Sequence, residues 1–204
     1  MRIVIIVEGS TEKVLIKHIR LFLETRGLTG RMPSIKPFPC NGRLPKGDEL
    51  KRTVERLLCN RKKPVDFVIA LTDVYTGNKD FKDAADAKQT MRKWVGANDK
   101  FFPHAAQYDF EAWLLPFWPT IQELAGNNNK AAPGGNPEQV NHNNPPAHRL
   151  HEIFKLGNKY RYVKPRDADR ILRKNDLLIS AQKCSELKSF LNTIIKLCDG
   201  ELIP

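Results

Sequence analysis

Residues 2–13 read RIVIIVEGSTEK, and this stretch predicts how the chain begins to fold. The run from Ile3 to Val7 is apolar at every position, which is typical of a strand covered on both faces, as in a parallel sheet. Glu8 and Gly9 follow at the carboxyl end of that strand, where parallel sheets place their chemistry. Glycine there lets another backbone or a ligand come close. The stretch therefore predicts a buried strand that ends at a candidate functional carboxylate.

The first half of the chain alternates strand and helix patterns. Ser10 is expected to cap the first helix, whose apolar stripe includes Val14, His18, Leu21 and Phe22 and which Gly27 ends. After the first strand, the predicted elements are a helix at 10–26, a proline-rich edge strand at 34–38, a helix at 48–59, a buried strand at 65–72 ending at Asp73, a helix at 83–95 and a weaker strand at 102–107. This β-α-β-α-β-α-β order predicts an α/β fold, a mainly parallel sheet with helices on both faces.

The composition changes after Ala125. Residues 126–146 are rich in Asn, Gly and Pro and predict a long irregular loop. Basic helices are expected at 147–156, 166–174 and 180–198. We therefore divide the chain into an α/β core over residues 1–125 and a loop with a basic helical extension, packed on that core, over residues 126–204.

Bulk composition restricts the classes of protein that fit. Of the 204 residues, 41% are hydrophobic and 28% are charged, as expected of a globular protein. No apolar run approaches the roughly 20 residues that a membrane span needs, and no secretory signal is seen. The four cysteines are far apart and show no metal-binding spacing, so reduced thiols and a cytoplasmic location are expected.

The net charge of +11 comes from 34 basic and 23 acidic residues. Such an excess favours a polyanionic partner, such as DNA or RNA, although it can also serve solubility. The run Arg61, Lys62 and Lys63 is either a nucleic-acid contact or a solvated loop. GxxxxGK[ST] is absent and so is GxGxxG after a strand, which excludes ATP hydrolysis by a phosphate-binding loop of that kind.

Acidic residues stand where the predicted strands end. Glu8 follows the first strand, Asp73 ends the central one, and Asp109 and Glu111 follow the last. In a parallel sheet these carboxylates gather at one edge and repel one another, so such a site usually holds a hard cation such as Mg²⁺ or Mn²⁺. A cation there can orient a phosphodiester and activate water.

Each acid also has a structural interpretation. Glu8 and Glu111 can be acids at helix N-termini, and Asp109 can be an N-cap. Asp73 can form a turn. Glu12, one turn into the first helix, is more often a solvated residue, and otherwise a catalytic one.

The motifs together resemble a known fold. VEGSTEK at 7–13, Asp73 and YDFEAWLL at 108–115 resemble the TOPRIM domain of primases, topoisomerases and the overcoming-lysogenization-defect nucleases. The chain is also similar to a family of small stand-alone TOPRIM-like proteins, catalogued as a domain of unknown function and often found in bacterial defence loci beside an ATPase gene. NPEQVN at 136–141, PPAHRL at 145–150, YRYVKP at 160–165 and a last helix with Cys184 and Phe190 extend this resemblance over nearly the whole chain.

The resemblance implies an Mg²⁺-dependent endonuclease or phosphoryl-transfer protein acting on DNA or RNA, with an ATPase partner in anti-phage defence. It implies that the metal ligands are Glu8, Asp73, Glu111 and Asp109, that Glu8 or Glu12 assists proton transfer, and that Arg149 and Lys164 hold phosphate.

One position departs from the TOPRIM pattern. TOPRIM domains carry a DxD pair at this strand, whereas this chain has Asp73-Val74-Tyr75. Asp109, two residues before Glu111, can replace the missing ligand. The departure also leaves open a non-catalytic module that binds nucleic acid or an ATPase. A strand-joining activity has only Tyr75 as a candidate nucleophile.

Overall fold

A computed structural model describes residues 1–40, 42–75, 80–126, 129–140, 144–157 and 161–204. Its sheet has four parallel strands in the order β2-β1-β3-β4. The strands are β1 (Arg2–Val7), β2 (Ser34–Pro39), β3 (Phe67–Val74) and β4 (Phe101–Gln107). The predicted parallel α/β sheet is therefore confirmed.

The hydrophobic pattern of each strand matches its place in the sheet. β1 and β3 are central and pair directly, with Ile5 opposite Ile69 and Val7 opposite Leu71. Both strands need apolar residues on both faces, which explains their unbroken apolar runs. β2 contains Pro37 and Pro39 and lies at an edge, as predicted, because proline cannot donate to a strand partner.

Helices cover both faces. One face carries α2 (Gly47–Leu58) and α3 (Ala84–Val95). The other face carries α1 (Ser10–Leu23), a 3₁₀ helix (Phe110–Phe117) and the C-terminal helices. Those helices are α4 (Trp118–Leu124), α5 (Pro146–Leu156), α6 (Lys164–Arg173), α7 (Leu177–Ala181) and α8 (Ser185–Leu197). None of the helices in the described ranges has the length and apolar character needed to cross a membrane.

The first helix differs from its prediction at both ends. α1 ends at Leu23 rather than near Arg26, and Gly9 rather than Ser10 is its N-cap. Leu21, predicted on the apolar stripe, is 57% exposed. With Gly9 as the N-cap, Glu12 occupies the third helical position. Its side chain accepts a hydrogen bond from the Gly9 amide at 3.0 Å, as in a capping box.

Two further predictions about elements are wrong. Asp73 lies within β3 and pairs with Ala106, so it does not form a turn after the strand. The helix predicted over 180–198 is two helices, because α7 ends at Ala181 and α8 begins at Ser185. The predicted irregular loop at 126–146 contains a short 3₁₀ turn (Pro137–Gln139), while positions 127–128 and 141–143 lie outside the described residues.

Candidate active site

The parallel register brings Glu8 and β3 together at the carboxyl edge of the sheet. Val7 pairs with Leu71, so Glu8, one residue past β1, lies beside Thr72 and Asp73. The Thr72 hydroxyl and the Asp73 amide, the latter at 3.3 Å, both donate to Glu8 Oε1. These hydrogen bonds hold the Glu8 carboxylate on β3, so in the described chain it does not serve as a cap of α1.

A cavity of about 220 Å³ lies at this edge and is called the carboxylate cavity below. It is bordered by the first turn of α1, the end of β3, the start of the 3₁₀ helix and the start of α6. The ionisable side chains that line it are Glu8, Glu12, Asp73, Tyr75, Glu111 and Lys164. The structure thus brings all four predicted catalytic acids and one of the predicted phosphate-binding residues to one cavity.

Negative charge in the cavity is poorly compensated. Burial raises the pKa of Asp73 well above its usual range, and the nearby charges of Glu12, Asp109, Glu8 and Glu111 raise it further. Burial also raises the pKa of Glu8, although the Thr72 hydroxyl and the Asp73 amide oppose this. A positive group that entered the cavity would lower the free-energy cost of ionising both Asp73 and Glu8.

Glu111 has the one direct ion pair among the cavity acids of the described chain. Lys164 Nζ lies 3.2 Å from Glu111 Oε2, and the Tyr162 hydroxyl donates to Oε1 at 3.4 Å. Burial and the charge of Asp109 nevertheless raise the pKa of Glu111 to about 7. Burial alone would lower the pKa of Lys164, but the charges of Glu111 and Asp109 raise it overall.

Asp109 lies behind the cavity rather than on its wall. Its backbone is the N-cap of the 3₁₀ helix, but its Oδ2 accepts from the Ala147 amide at the start of α5, at 3.2 Å. The other oxygen, Oδ1, is buried and has no hydrogen bond of good geometry among the described residues. Burial raises the pKa of Asp109, although the amides of Ala147, Ala112 and Glu111 oppose this.

Glu12 is not the solvated helix residue that its position suggested. Only 6% of the residue is exposed, because the first turn of α1 faces the carboxyl edge of the sheet. It combines its capping hydrogen bond with a place on the cavity wall.

The predicted phosphate-binding residues separate into three places. Lys164 lines the carboxylate cavity. Arg149 lies on α5, does not line that cavity, and has a buried Nε without a hydrogen-bond partner among the described residues. Arg61–Lys63 are exposed and join α2 to the amino end of β3, where the Asp66 amide bonds to Arg2 O at 3.0 Å. This run lies at the edge of the sheet opposite the carboxylates.

Two residues of the site are not among those predicted from the sequence. Thr72 ends the predicted buried strand, and its polar side chain between Leu71 and Asp73 is the one local signal of its role. Tyr162 lies within the YRYVKP motif, but nothing local shows that its hydroxyl reaches Glu111. Tyr75, at the second position of the DxD pattern, hydrogen-bonds Asp73, and burial followed by the charge of Asp73 raises its pKa.

The donor set fits a hard divalent cation. Glu8, Asp73 and Glu111 offer carboxylate oxygens, and Asp109 Oδ1 is a buried oxygen with no hydrogen bond of good geometry in the described chain. Over the same described ranges, no three His, Cys, Asp or Glu side chains already surround one point closely enough to hold an ion. Mg²⁺ usually takes only one or two carboxylates, together with waters and substrate phosphates, so this arrangement is compatible with it.

Comparisons with known proteins match the chain to a family model and to solved structures. A family model described as "Domain of unknown function (DUF4276)" matches residues 7–195. The C-terminal region of the Burkholderia pseudomallei OLD protein superposes with a TM-score of 0.55 at 11% identity, covering 96% of this chain and 98% of that one. The C-terminal region of the Xanthomonas campestris pv. campestris OLD protein gives 0.44 at 12% identity, with 94% and 97% covered. No curated protein matches.

The Burkholderia superposition confirms the expected α/β fold, a parallel sheet flanked by helices, which this chain shares with the C-terminal region of that OLD protein.

Proposed function

The chain belongs to the DUF4276 family, and we propose that it is a TOPRIM-like, Mg²⁺-dependent nuclease that cleaves phosphodiesters of DNA or RNA. One observation carries the proposal: Glu8, Glu12, Asp73 and Glu111 line one cavity at the carboxyl edge of the sheet. Buried carboxylates with raised pKa values are costly to keep together, and a divalent cation offsets that cost. The fold shared with the OLD C-terminal region supports the same conclusion.

The residues divide into three roles in this proposal. Glu8, Asp73 and Glu111 would hold Mg²⁺ or Mn²⁺, with Asp109 behind them. Bound there, the ion would polarise the phosphodiester and lower the pKa of a water. Glu12, or Glu8 when it is not a ligand, accepts a proton from the attacking water. Lys164 donates hydrogen bonds to a phosphate oxygen, and Arg149 contacts phosphate farther along the substrate.

The test is cleavage of supercoiled plasmid, single-stranded DNA and tRNA in Mg²⁺, Mn²⁺ or EDTA. We expect cleavage with either ion and none in EDTA. Glu8→Gln and Asp73→Asn keep the side-chain shapes but remove a charge, so each should lower the rate at least about 100-fold. Glu123→Gln, an exposed acid on α4, is the matched control and should cleave like the parent protein. Metal-independent cleavage, or full activity of Glu8→Gln, would contradict the proposal.

A second candidate function is a non-catalytic module that binds nucleic acid or an ATPase. It is favoured by the ion pair of Lys164 with Glu111, which already neutralises one acid, and by Tyr75 in the DxD position. This candidate predicts oligonucleotide binding without cleavage under every metal condition.

We also propose an ATPase partner and a role in anti-phage defence. Phage challenge with this gene alone and together with any ATPase gene found beside it tests this part. If the module is non-catalytic, Glu8→Gln should protect cells as well as the parent protein does.

A further inference from the structure

A second cavity, of about 350 Å³, adjoins the carboxylate cavity. The two share Glu8, Gly42, Asp73 and Tyr75, so they lie side by side at the carboxyl edge. The second cavity opens toward the face covered by α2 and α3, and we call it the basic cavity. Its distinctive side chains are Arg43, Lys46, Tyr75, Phe81 and Trp94.

The loop that carries the two cations is tied to the catalytic edge by backbone hydrogen bonds. The Cys40 amide donates to Val7 O at 2.9 Å, and the Gly42 amide donates to Glu8 O at 2.7 Å. Gly42 has φ of +100°, which residues with a Cβ rarely adopt, so glycine allows the backbone conformation at this point of the loop. Arg43 and Lys46 are therefore held beside Glu8 by the end of β1 itself.

Two cations at the rim of the basic cavity can pair with an anion. Arg43 and Lys46 both contact the same oxygen, Asp80 Oδ2, with Arg43 Nη2 at 2.8 Å. Two cations therefore face one carboxylate at the rim, while Glu8 and Asp73 lie on the wall that this cavity shares with the carboxylate cavity. The Arg43 side chain is 69% exposed and Lys46 35%, so both can turn toward an incoming phosphate.

The aromatic side chains suit a flat ring. Trp94 packs against the buried Phe81 with ring centroids 5.8 Å apart and remains partly exposed on the cavity wall. Tyr75 is 45% exposed and borders both cavities. Cations beside aromatic rings are the combination that binds unpaired nucleotides, in which the base stacks and the phosphate pairs with Lys or Arg.

We propose that the basic cavity binds one unpaired nucleotide of a single-stranded nucleic acid, directly beside the phosphodiester that enters the carboxylate cavity. The placement beside the reacting phosphodiester rests on the proposed nuclease function, whereas the nucleotide binding does not. A single strand is required because a base in a duplex is stacked and cannot reach Trp94 or Tyr75. The cavity volume is at the lower end of the roughly 300–1,000 Å³ of small-ligand pockets, which suits one nucleotide.

The first measurement is the binding of fluorescein-labelled oligothymidylate and oligouridylate, ten nucleotides long, in EDTA. Fluorescence anisotropy over a series of salt concentrations gives affinity and salt slope. The double variant Arg43→Gln/Lys46→Gln should bind at least about tenfold more weakly, and its log–log salt slope should be smaller by about 1.4. The matched control is Arg61→Gln/Lys62→Gln, which removes two cations at the opposite edge and should bind like the parent protein.

The second measurement reports on the aromatic wall. Trp113 and Trp118 are 1% and 7% exposed, so unlabelled oligonucleotide should quench mainly the fluorescence of Trp94. Trp94→Phe keeps a ring and should retain binding but lose the quenching. A duplex of the same sequence should bind more weakly and quench little.

These measurements distinguish the two proposals. If the parent protein cleaves but the Arg43/Lys46 double variant binds and cleaves normally, the nucleotide site is wrong and the nuclease proposal stands. If the parent protein never cleaves but binding depends on Arg43 and Lys46 and quenches Trp94, the binding site stands and catalysis fails. Absence of oligonucleotide binding, or equal weakening by the Arg61/Lys62 variant, overturns the site.

Discussion

Two groups of buried acids in this protein have the same chemistry but different surroundings. At the carboxyl edge, Asp73 and Glu111 lie close to other carboxylates, and burial raises the pKa of each. On the helical side, Glu138 and Asp167 are equally buried, at 4% and 0% exposure, yet their oxygens are surrounded by donors. The comparison separates acids that stabilise the fold from acids whose burial costs stability.

Glu138 shows which hydrogen-bond donors surround a buried carboxylate that is fully hydrogen-bonded. Its carboxylate accepts from the Trp113 indole at 2.9 Å, from the Ser185 hydroxyl at 3.0 Å and from the first amides of α8, Glu186 and Leu187. Asp167 accepts from the Val163 amide at 2.7 Å and pairs with Arg166 and Arg170. Asp73 has no comparable set of hydrogen-bond donors in the described part of the chain. A fold that keeps several buried acids of this kind together at one cavity is organised for a cationic ligand.

The largest effect that tests this comparison is expected from Glu138→Ala. The substitution leaves the Trp113 N–H and the first amides of α8 without their acceptor, which should lower the free energy of unfolding by about 3 kcal/mol. Urea denaturation at neutral pH measures it. Glu123→Ala, which removes an exposed acid, should change stability by less than about 1 kcal/mol. If both substitutions cost the same, the satisfied acids do not stabilise the fold.

His104 extends the comparison to a buried base. Its Nε2 lies 3.0 Å from Thr193 Oγ1, and its buried Nδ1 has no partner in the described structure. Since the Thr193 hydroxyl also lies 3.1 Å from Ser189 O and can donate there, Nε2–H is then the donor to Thr193 and Nδ1 carries the lone pair. Burial, followed by the charges of Lys88 and Arg92, lowers the pKa of His104 to about 3.

Because the folded-state pKa of His104 lies below its usual 6.5, the unfolded chain takes up a proton first as the pH falls. Stability from this group is complete above pH 6.5 and is lost progressively toward pH 3. Between pH 6.5 and 5 the loss should be about 2 kcal/mol. Urea unfolding of the parent protein and of His104→Gln over this pH range isolates the contribution of His104 to stability. The cavity acids titrate in both proteins, so their contribution cancels in the difference. Equal pH dependence of the two proteins would show that His104 protonates freely in the fold.

The sequence and the structure agree where the pattern is local. The apolar runs of β1 and β3 predicted central strands, and the prolines of β2 predicted an edge, because these signals depend on each strand's own residues. The gathering of Glu8, Asp73 and Glu111 at one edge followed from parallel topology alone. Each of these predictions required no knowledge of distant contacts.

The sequence was less informative where the deciding partner lies far along the chain. The separation of α7 from α8 has no Gly or Pro at 182–184 to signal it. The Glu138 carboxylate, 48 residues before Glu186, accepts the amides that start α8, and the Ser180 hydroxyl donates to Trp113 O at 2.6 Å. The burial of Glu12 was missed for the same reason, since α6 and the 3₁₀ helix complete the cavity around it.

A moderate gain in stability is expected from Asp73→Asn. The folded-state pKa of Asp73 lies above its usual 3.8, so this acid favours folding at low pH and opposes it as the pH rises through the folded-state value. In metal-free buffer at pH 8, the neutral amide should therefore raise the free energy of unfolding. Thermal denaturation in EDTA checks this, and Mg²⁺ should stabilise the parent protein but not the variant. A destabilised variant would place Asp73 with Glu138 among the structural acids.

The smallest effect is expected from Glu12→Gln, because Glu12 belongs partly to each group. It lines the carboxylate cavity, yet its Oε2 also accepts from the Gly9 amide at 3.0 Å. A glutamine oxygen can keep that hydrogen bond. The lost charge at the helix N-terminus costs stability, whereas the relieved repulsion with Asp73 adds stability, so the net change should be less than about 0.5 kcal/mol. Glu12→Ala, which removes the cap entirely, is the reference for a purely structural loss. If Glu12 accepts a proton during cleavage, Glu12→Gln should be nearly inactive while remaining more stable than Glu12→Ala. Full activity of a stable Glu12→Gln would show that this carboxylate acts only as a cap, and the proton acceptor would then be Glu8.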